Sequence, residues 1–311
     1  MQVFRSLEDA HSFGKTAVAL GFFDGVHLGH RKVIENAIAH SRQTPGGPVP
    51  VVFTFSAEEC ASVKKNQKTI FSDEIKIALF EEMGVKAVFM PEFSALKNLG
   101  PHDFFADVLL GKLCAEALFC GQDFRFGAGG SGNTDTLVAD GKNAGVGVFV
   151  SPFVTTNSLK ISSGALRELL AEGDLAGFEA RCGRQYLIDF GVSEGTRIGR
   201  TLGFPTMNQI YPAHFVLPAF GVYATRVLVN GVFYDAVTNV GVKPTVGNSE
   251  APAAESFIFG FDGNLYGKKA KTYFCKHLRP EQKFESLGEL KAQITRDTIA
   301  AKVYFESFDK K

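Results

Sequence analysis

The chain has 311 residues, 45% hydrophobic and 21% charged, which suits a globular protein long enough for two domains. Lysine plus arginine and aspartate plus glutamate balance at 33 each, so no overall field draws it to polyanions, and a dedicated nucleic-acid or membrane-surface role is disfavoured. Five scattered cysteines (Cys60, Cys114, Cys120, Cys182, Cys275) form no C-x-x-C pair, which argues against a disulfide framework or a structural zinc site. No apolar run approaches the ~18 residues of a bilayer span. Residues 1–11 carry charges where a signal peptide has its apolar stretch, and the chain reads as cytoplasmic.

In chain order, Thr16–Phe22 is a short apolar run with β character, followed by a polar turn and a helix near Leu28–Ser41. Val49–Phe55, Lys86–Met90 and Ala115–Gly121 read as further buried strands, with helices at about Ser72–Met83 and Pro101–Leu113. Gly145–Val150 closes the series, and Ser162–Ala171 and Asp174–Cys182 read as short helices. Strands alternating with helices predict a parallel sheet covered on both faces. Gly127–Gly132 formally matches G-x-G-x-x-G, but no strand leads straight into it and no apolar helix clearly follows, so it reads as a mobile loop.

Near residue 183 the rhythm changes to Gly221–Val229, Val232–Val240, Ala254–Gly260 and Lys271–Lys276, strand-like runs joined by tight turns. Asn230-Gly231 is a hairpin signal because both residues tolerate positive φ, and Asp262-Gly263-Asn264 is another turn. The pattern predicts a small antiparallel barrel or sandwich, ended by an amphipathic helix at about Leu287–Phe305.

Gly21-Phe22-Phe23-Asp24-Gly25-Val26-His27-Leu28-Gly29-His30 puts a glycine-containing turn and two histidines, three residues apart, at a helix start. Unpaired N–H groups and the macrodipole make such a start an anion site. Two histidines alone would equally suit a plain surface or a partial metal site; the full wording is far more specific. A second segment, Gly199-Arg200-Thr201-Leu202-Gly203-Phe204-Pro205-Thr206-Met207-Asn208, reads as an irregular loop with Thr206 and Asn208 projecting neutral oxygens two residues apart. Such oxygens suit Mg²⁺, and they equally suit local turn hydrogen bonds.

The first segment, with Gly121-Gln122-Asp123-Phe124-Arg125-Phe126-Gly127 and Ile161-Ser162-Ser163-Gly164-Ala165-Leu166-Arg167, resembles bacterial FAD synthetases of the nucleotidyltransferase superfamily. The second closely resembles the G-R-x-L-G-F-P-T-x-N motif of riboflavin kinases. Gly221-Val222-Tyr223, residues 238–245, Glu255 with its strand and Leu278-Arg279-Pro280-Glu281-Gln282-Lys283-Phe284 follow that family in order. The resemblance implies an α/β nucleotidyltransferase domain with a Rossmann-like parallel sheet over 1–182. It implies a small antiparallel β-barrel kinase domain with a C-terminal helix over 183–311.

It implies phosphorylation of riboflavin to FMN and adenylylation of FMN to FAD, with ATP as co-substrate and Mg²⁺ as cofactor. On the same footing, His27, His30 and Glu255 are the catalytic expectations, Glu255 as the base. Nucleotide contacts are expected from Gly21, Phe23, Asp24, Gly25, Gly29, Ser162, Ser163, Arg167, Gly199, Arg200 and Gly203. Flavin contacts are expected from Asp123, Phe124, Phe126 and Arg279, and metal contacts from Thr206 and Asn208; Arg279 is equally read as a structural loop residue. Two departures stand out. Gly164 replaces the family's threonine, and Ser56-Ala57-Glu58-Glu59 replaces a P-H-P-type turn, setting two acids close to the expected nucleotide. A flavin sensor, or a kinase with a degenerate first domain, is the alternative; oligomeric state stays open.

Overall fold

The computed structural model describes residues 1–8, 13–43, 45–63, 67–156, 159–194, 203–244 and 250–308. Gly199 and Arg200 therefore lie outside the described residues. The chain divides into two compact units, Met1–Ser163 and Gly164–Lys311.

In the first unit β1 (Gln2–Phe4), β2 (Thr16–Leu20), β3 (Val49–Phe53), β4 (Ala87–Phe89), β5 (Ala115–Gly121) and β6 (Gly147–Ser151) form one sheet in the order β1-β4-β3-β2-β5-β6. Every pairing in it is parallel. Parallel strands buried on both faces read as unbroken apolar runs, and all five residues of β2 are buried. Helices α1 (Leu28–Arg42), α2 (Ala57–Val63), α3 (Asp73–Met83), α4 (Phe93–Leu96), α5 (Pro101–Asp103, continuing as a π-helix over Phe104–Lys112) and α6 (Thr134–Ala144) connect them. A short hairpin, β7 (Thr155–Thr156) with β8 (Leu159–Lys160), ends the unit. In a chain without tryptophan, phenylalanine rings fill the core edge to face, as Phe53 does on Phe104 at 5.6 Å.

Several elements of this unit went unread in the sequence: β1, α2, α4, α6 and the β7–β8 hairpin. β1 has only three residues and is recognisable only by its register on β4. α2 is capped by Ser56, whose hydroxyl accepts from the Glu59 N–H at 3.2 Å and donates to the Glu59 carboxylate at 3.3 Å. α6 follows the glycine-rich stretch, contrary to expectation, capped by Asn133 accepting from the Thr136 N–H at 2.9 Å. That stretch is no loose loop: Phe126 and Gly132 bridge, and a Cβ on Gly127 would lie 2.8 Å from the Pro101 nitrogen. Gly127 and Gly132 serve close packing, and β5 ends at Gly121, well before a dinucleotide turn could start.

In the second unit, α7 (Ser163–Glu172, begun at the last residue of the first) and α8 (Leu175–Cys182) precede an antiparallel sheet. Its strands are β9 (Tyr186–Ile188), β10 (Val192–Ser193), β11 (Thr206–Ile210), β12 (Gly221–Val229), β13 (Val232–Pro244), β14 (Glu250–Ile258) and β15 (Lys271–Pro280), in the order β10-β11-β14-β13-β12-β15-β9. The predicted hairpin at Asn230-Gly231 joins β12 to β13, with φ of 50° and 82°. The edge strands β9 and β10 are consecutive in the chain, so the sheet must curl. Buried Gln209 on β11 fastens the curl by donating to the Phe190 and Ala270 carbonyls at 2.8 and 2.7 Å and accepting from the Thr272 hydroxyl at 2.6 Å. Helix α9 (Leu287–Phe308) covers the outer face, its Ala301 and Phe305 set against Val222, Ala224 and Val237.

The unit boundary falls earlier than the expected 182/183. The Ala219 N–H donates to the Leu170 carbonyl at 2.8 Å, and fully buried Phe178 of α8 meets the Tyr186 ring at 5.7 Å. A fragment of residues 183–311 lacks these partners. Urea unfolding of fragments 164–311 and 183–311 should show the shorter one less stable by at least about 3 kcal/mol, the cost of losing one buried phenylalanine; equal midpoints would separate α7 and α8 from this core.

Candidate active sites

In the parallel sheet, connections from β2 run one way to β3 and β4, and β5 and β6 lie on its other side. The carboxyl ends of β2 and β5 therefore diverge, and ligands of open α/β sheets bind in such a crevice. Both N-terminal motifs sit there: residues 21–30 follow β2, and residues 121–127 follow β5.

The turn after β2 is tightly held. Phe23, Gly25 and Val26 all have positive φ, at 50°, 81° and 38°. For a phenylalanine and a β-branched valine this conformation costs about 1–3 kcal/mol each, so surrounding contacts must enforce it. Asp24, buried, accepts from the Ile70 N–H at 2.8 Å, and its carbonyl accepts from the Ser163 hydroxyl at 2.8 Å. The Phe22 carbonyl accepts from Thr54 at 3.0 Å. Phe23 is buried against Phe80 and His30, so its ring belongs to the core and only its backbone faces the site. Asp24 and Ser163, expected as nucleotide contacts, are engaged in shaping the turn.

His27 is the N-cap of α1, its Nδ1 accepting from the His30 N–H at 3.2 Å. The two imidazoles stack at 3.5 Å, which the i,i+3 spacing on one helical turn allows. A Cβ on Gly29 would come within 3.1 Å of the His27 ring, and one on Gly21 within 3.0 Å of the Phe23 ring. Ser162 immediately precedes α7, and Arg167 lies one turn into that helix, in the second unit. Of the two acids after β3, Glu59 has its carboxylate occupied by the Phe93 N–H at 2.6 Å and by Ser56, and Glu58 is exposed.

On the flavin-side motif, Asp123 is exposed and lies 3.6 Å from Lys160, whose Nζ also sits over the Phe153 ring at 3.3 Å. Phe124 stacks on Phe126 at 5.6 Å, and Phe126 is itself a core residue. Burial, with Asp123 nearby, pushes the Cys120 thiol up to about 12, so it is an inert packing group.

In the second unit the expected irregular loop at Thr206–Asn208 is a strand, β11, and the two-residue spacing is the pleat that puts both side chains on one face. Glu255, expected at a strand start, lies within the central strand β14, opposite Asn208 on one side and Asn239 on the other. Direct antiparallel partners share a face, so Thr206, Asn208, Glu255 and Asn239 form one polar cluster, with Glu255 half-buried. Phe204 packs edge-on against Phe257 at 5.2 Å. A cleft of about 610 Å³ opens beside β11, lined by Thr206, Asn208, Ser256, Asp262, Asn264 and Tyr266 among others. Gly203, with φ 88°, turns the chain into it.

Arg279 is on β15, not on a loop, and makes a two-pronged contact with Asp297 of α9 at 2.9 and 2.8 Å and a bond to the Pro280 carbonyl. It clamps the terminal helix. Thr54, Lys76 and the Ile70 N–H were not singled out from sequence; their roles are set by register and burial, which leave no local motif. No group of three or more His, Cys, Asp or Glu among the described residues could hold a metal alone, and no described helix is long and apolar enough to cross a membrane.

Because the missing side chain at Gly29 gives the His27 ring its place, Gly29→Ala should displace the stacked pair. FAD formation should fall at least about tenfold with FMN formation unchanged. Product chromatography of both reactions checks this, and a normal FAD rate would free the ring from that constraint.

A family model described as FAD synthetase matches residues 9–165, and one described as riboflavin kinase matches 182–305. The bifunctional riboflavin kinase/FMN adenylyltransferase of Bacillus subtilis is 33% identical over 95% of this chain and 94% of its own length. That of Haemophilus influenzae is 34% identical over 99% and 100%. A solved structure described as a macrolide-efflux protein from Streptococcus pneumoniae superposes with a TM-score of 0.82 at 26% identity, covering 96% of this chain and 98% of that one. With both family models matched in order and relatives aligned nearly end to end, the chain belongs to the family of bifunctional riboflavin kinase/FMN adenylyltransferases.

Proposed function

We propose that the constellation around Glu255 carries out ATP-dependent phosphorylation of riboflavin and that the turn at residues 21–30 adenylylates the FMN so made, giving FAD and pyrophosphate. The observation that carries this assignment is the cross-strand placement of Glu255 beside Asn208 and Asn239 in a unit separate from the stacked histidines. The pairing of the two reactions follows the family.

The two chemistries need different residues. The attacking ribityl hydroxyl of riboflavin must lose a proton, which calls for a carboxylate base, and Glu255 takes that proton. Thr206 and Asn208, oxygen-bearing side chains on one strand face at the cleft, fit a magnesium ion with few protein ligands. Bound with the nucleotide, Mg²⁺ would neutralise charge on the phosphates. Asn239, directly opposite Glu255 on the same face, is placed to keep the flavin hydroxyl in register with it.

The FMN phosphate is already an anion, so adenylyl transfer needs no base. It needs donors around the departing pyrophosphate. His27 and His30 supply these at the start of α1, with Ser162 of the same unit, and Ser163 holds the turn through Asp24. The sensor reading has no observation in its favour.

Glu255→Gln should lower riboflavin phosphorylation by ~10²-fold or more while adenylylation of supplied FMN continues normally. His27→Ala and His30→Ala should each lower FAD formation by ~10²-fold and leave phosphorylation intact. Assaying each step with its own substrate decides the matter. Near-normal phosphorylation by Glu255→Gln would remove Glu255 as base, and normal FAD formation by the histidine variants would move the phosphates elsewhere.

A further inference from the structure

Lys76 of α3 is 1% exposed, and the chemistry above does not use it. Its Nζ donates to the Phe55 carbonyl at 2.9 Å and to the Thr54 hydroxyl at 3.5 Å. Among the described residues no carboxylate pairs with it. Asp73, on the same helix, is occupied by the Ala57 N–H at 2.8 Å and by Arg5 at 3.2 Å. Burying a lysine against neutral oxygens is unfavourable, and a methionine would fill the same space without that cost. Something other than folding accounts for it.

Thr54 carries the contact onward. Its hydroxyl accepts from Lys76 and donates to the Phe22 carbonyl at 3.0 Å. A trans peptide points its C=O and N–H in opposite directions. Holding the Phe22 oxygen inward therefore aims the Phe23 N–H outward, to the side where β2 gives way to α1. No hydrogen bond among the described residues uses that N–H. The strained φ of Phe23 belongs to the same arrangement.

We infer that Lys76 is a positioning residue for phosphate binding at residues 21–27: through Thr54 it sets the Phe22–Phe23 peptide with its N–H toward the ligand, and its ammonium is a fixed positive charge beneath the turn. The polyphosphate is then the counter-charge that the protein itself omits. This rests on the adenylyltransferase reading of that turn.

The test uses the full-length chain with Lys76→Met, Lys76→Arg and Thr54→Val. Three quantities are read: the denaturation midpoint with and without inorganic pyrophosphate, FAD formation from supplied FMN, and riboflavin phosphorylation as an internal control. Lys76→Met should keep or raise the ligand-free midpoint and leave phosphorylation unchanged. It should lose most of the midpoint increase that pyrophosphate gives the wild type, and its kcat/KM for ATP in FAD formation should fall at least about tenfold. Lys76→Arg should recover part of both, and Thr54→Val should show a milder form of the same loss. Adenylylation within twofold of wild type together with an undiminished pyrophosphate effect would overturn the inference. A parallel loss of ligand-free stability and both activities would make Lys76 merely structural. Should Lys76→Met fail to fold, Thr54→Val decides by the same readouts. A wild-type chain that makes no FAD at all would instead overturn the reading of the turn, while the pyrophosphate effect still reports on Lys76.

Discussion

The first unit depends on a backbone turn that its own residues resist. Between β2 and α1 the chain must leave a fully buried parallel strand and enter a helix with its N–H groups aimed at the crevice. It does so with positive φ at Phe23, Gly25 and Val26. Only one of the three is glycine. The strain is held by four contacts from distant parts of the chain: Ile70 on the Asp24 carboxylate, Ser163 on the Asp24 carbonyl, Thr54 on the Phe22 carbonyl and Phe80 on the Phe23 ring. Part of the motif, Asp24 and Ser163 among it, is thus spent on shaping the backbone.

The second unit reaches its geometry by a different route. No strained turn is needed at Glu255, because antiparallel register alone sets it between Asn208 and Asn239. What must be enforced is the curl of the sheet, and Gln209 does this from the opposite face of β11 by joining the segments before and within β15. Thr206 and Asn208 point to one side of β11 and Gln209 to the other, so one five-residue strand serves both the site and closure. Arg279 and Asp297 then pin α9 over the outer face. The proposed placement, a base on a strand and a phosphate site at a helix start, suits the two reactions: proton removal needs a fixed carboxylate, and a departing pyrophosphate needs converging donors.

The alternation of strands and helices, the hairpin at Asn230-Gly231 and the amphipathic terminal helix were legible because each is a local pattern. The glycine-rich stretch misled because composition does not distinguish a loose loop from glycines that let Pro101 approach. Glu59 is a related case: its carboxylate accepts from the Ser56 hydroxyl, and its second partner, Phe93, is far away in sequence. Arg279 looked available until its partner on α9 came into view. Lys76 had no signal at all, since a buried lysine acquires meaning only from its neighbours. Motifs located both sites; the contacts that hold them were invisible until folded.

The central claim is that one chain carries two independent reactions, one built on Glu255 and one on His27 and His30. Complementation measures this directly: the Glu255→Gln and His30→Ala proteins are incubated with riboflavin and Mg-ATP, singly and mixed, and FAD is followed by chromatography. The account predicts almost no FAD from either protein alone, FMN accumulating only with His30→Ala, and FAD formation restored in the mixture as released FMN passes from one protein to the other. FAD formed from riboflavin at the wild-type rate by either variant alone would contradict it.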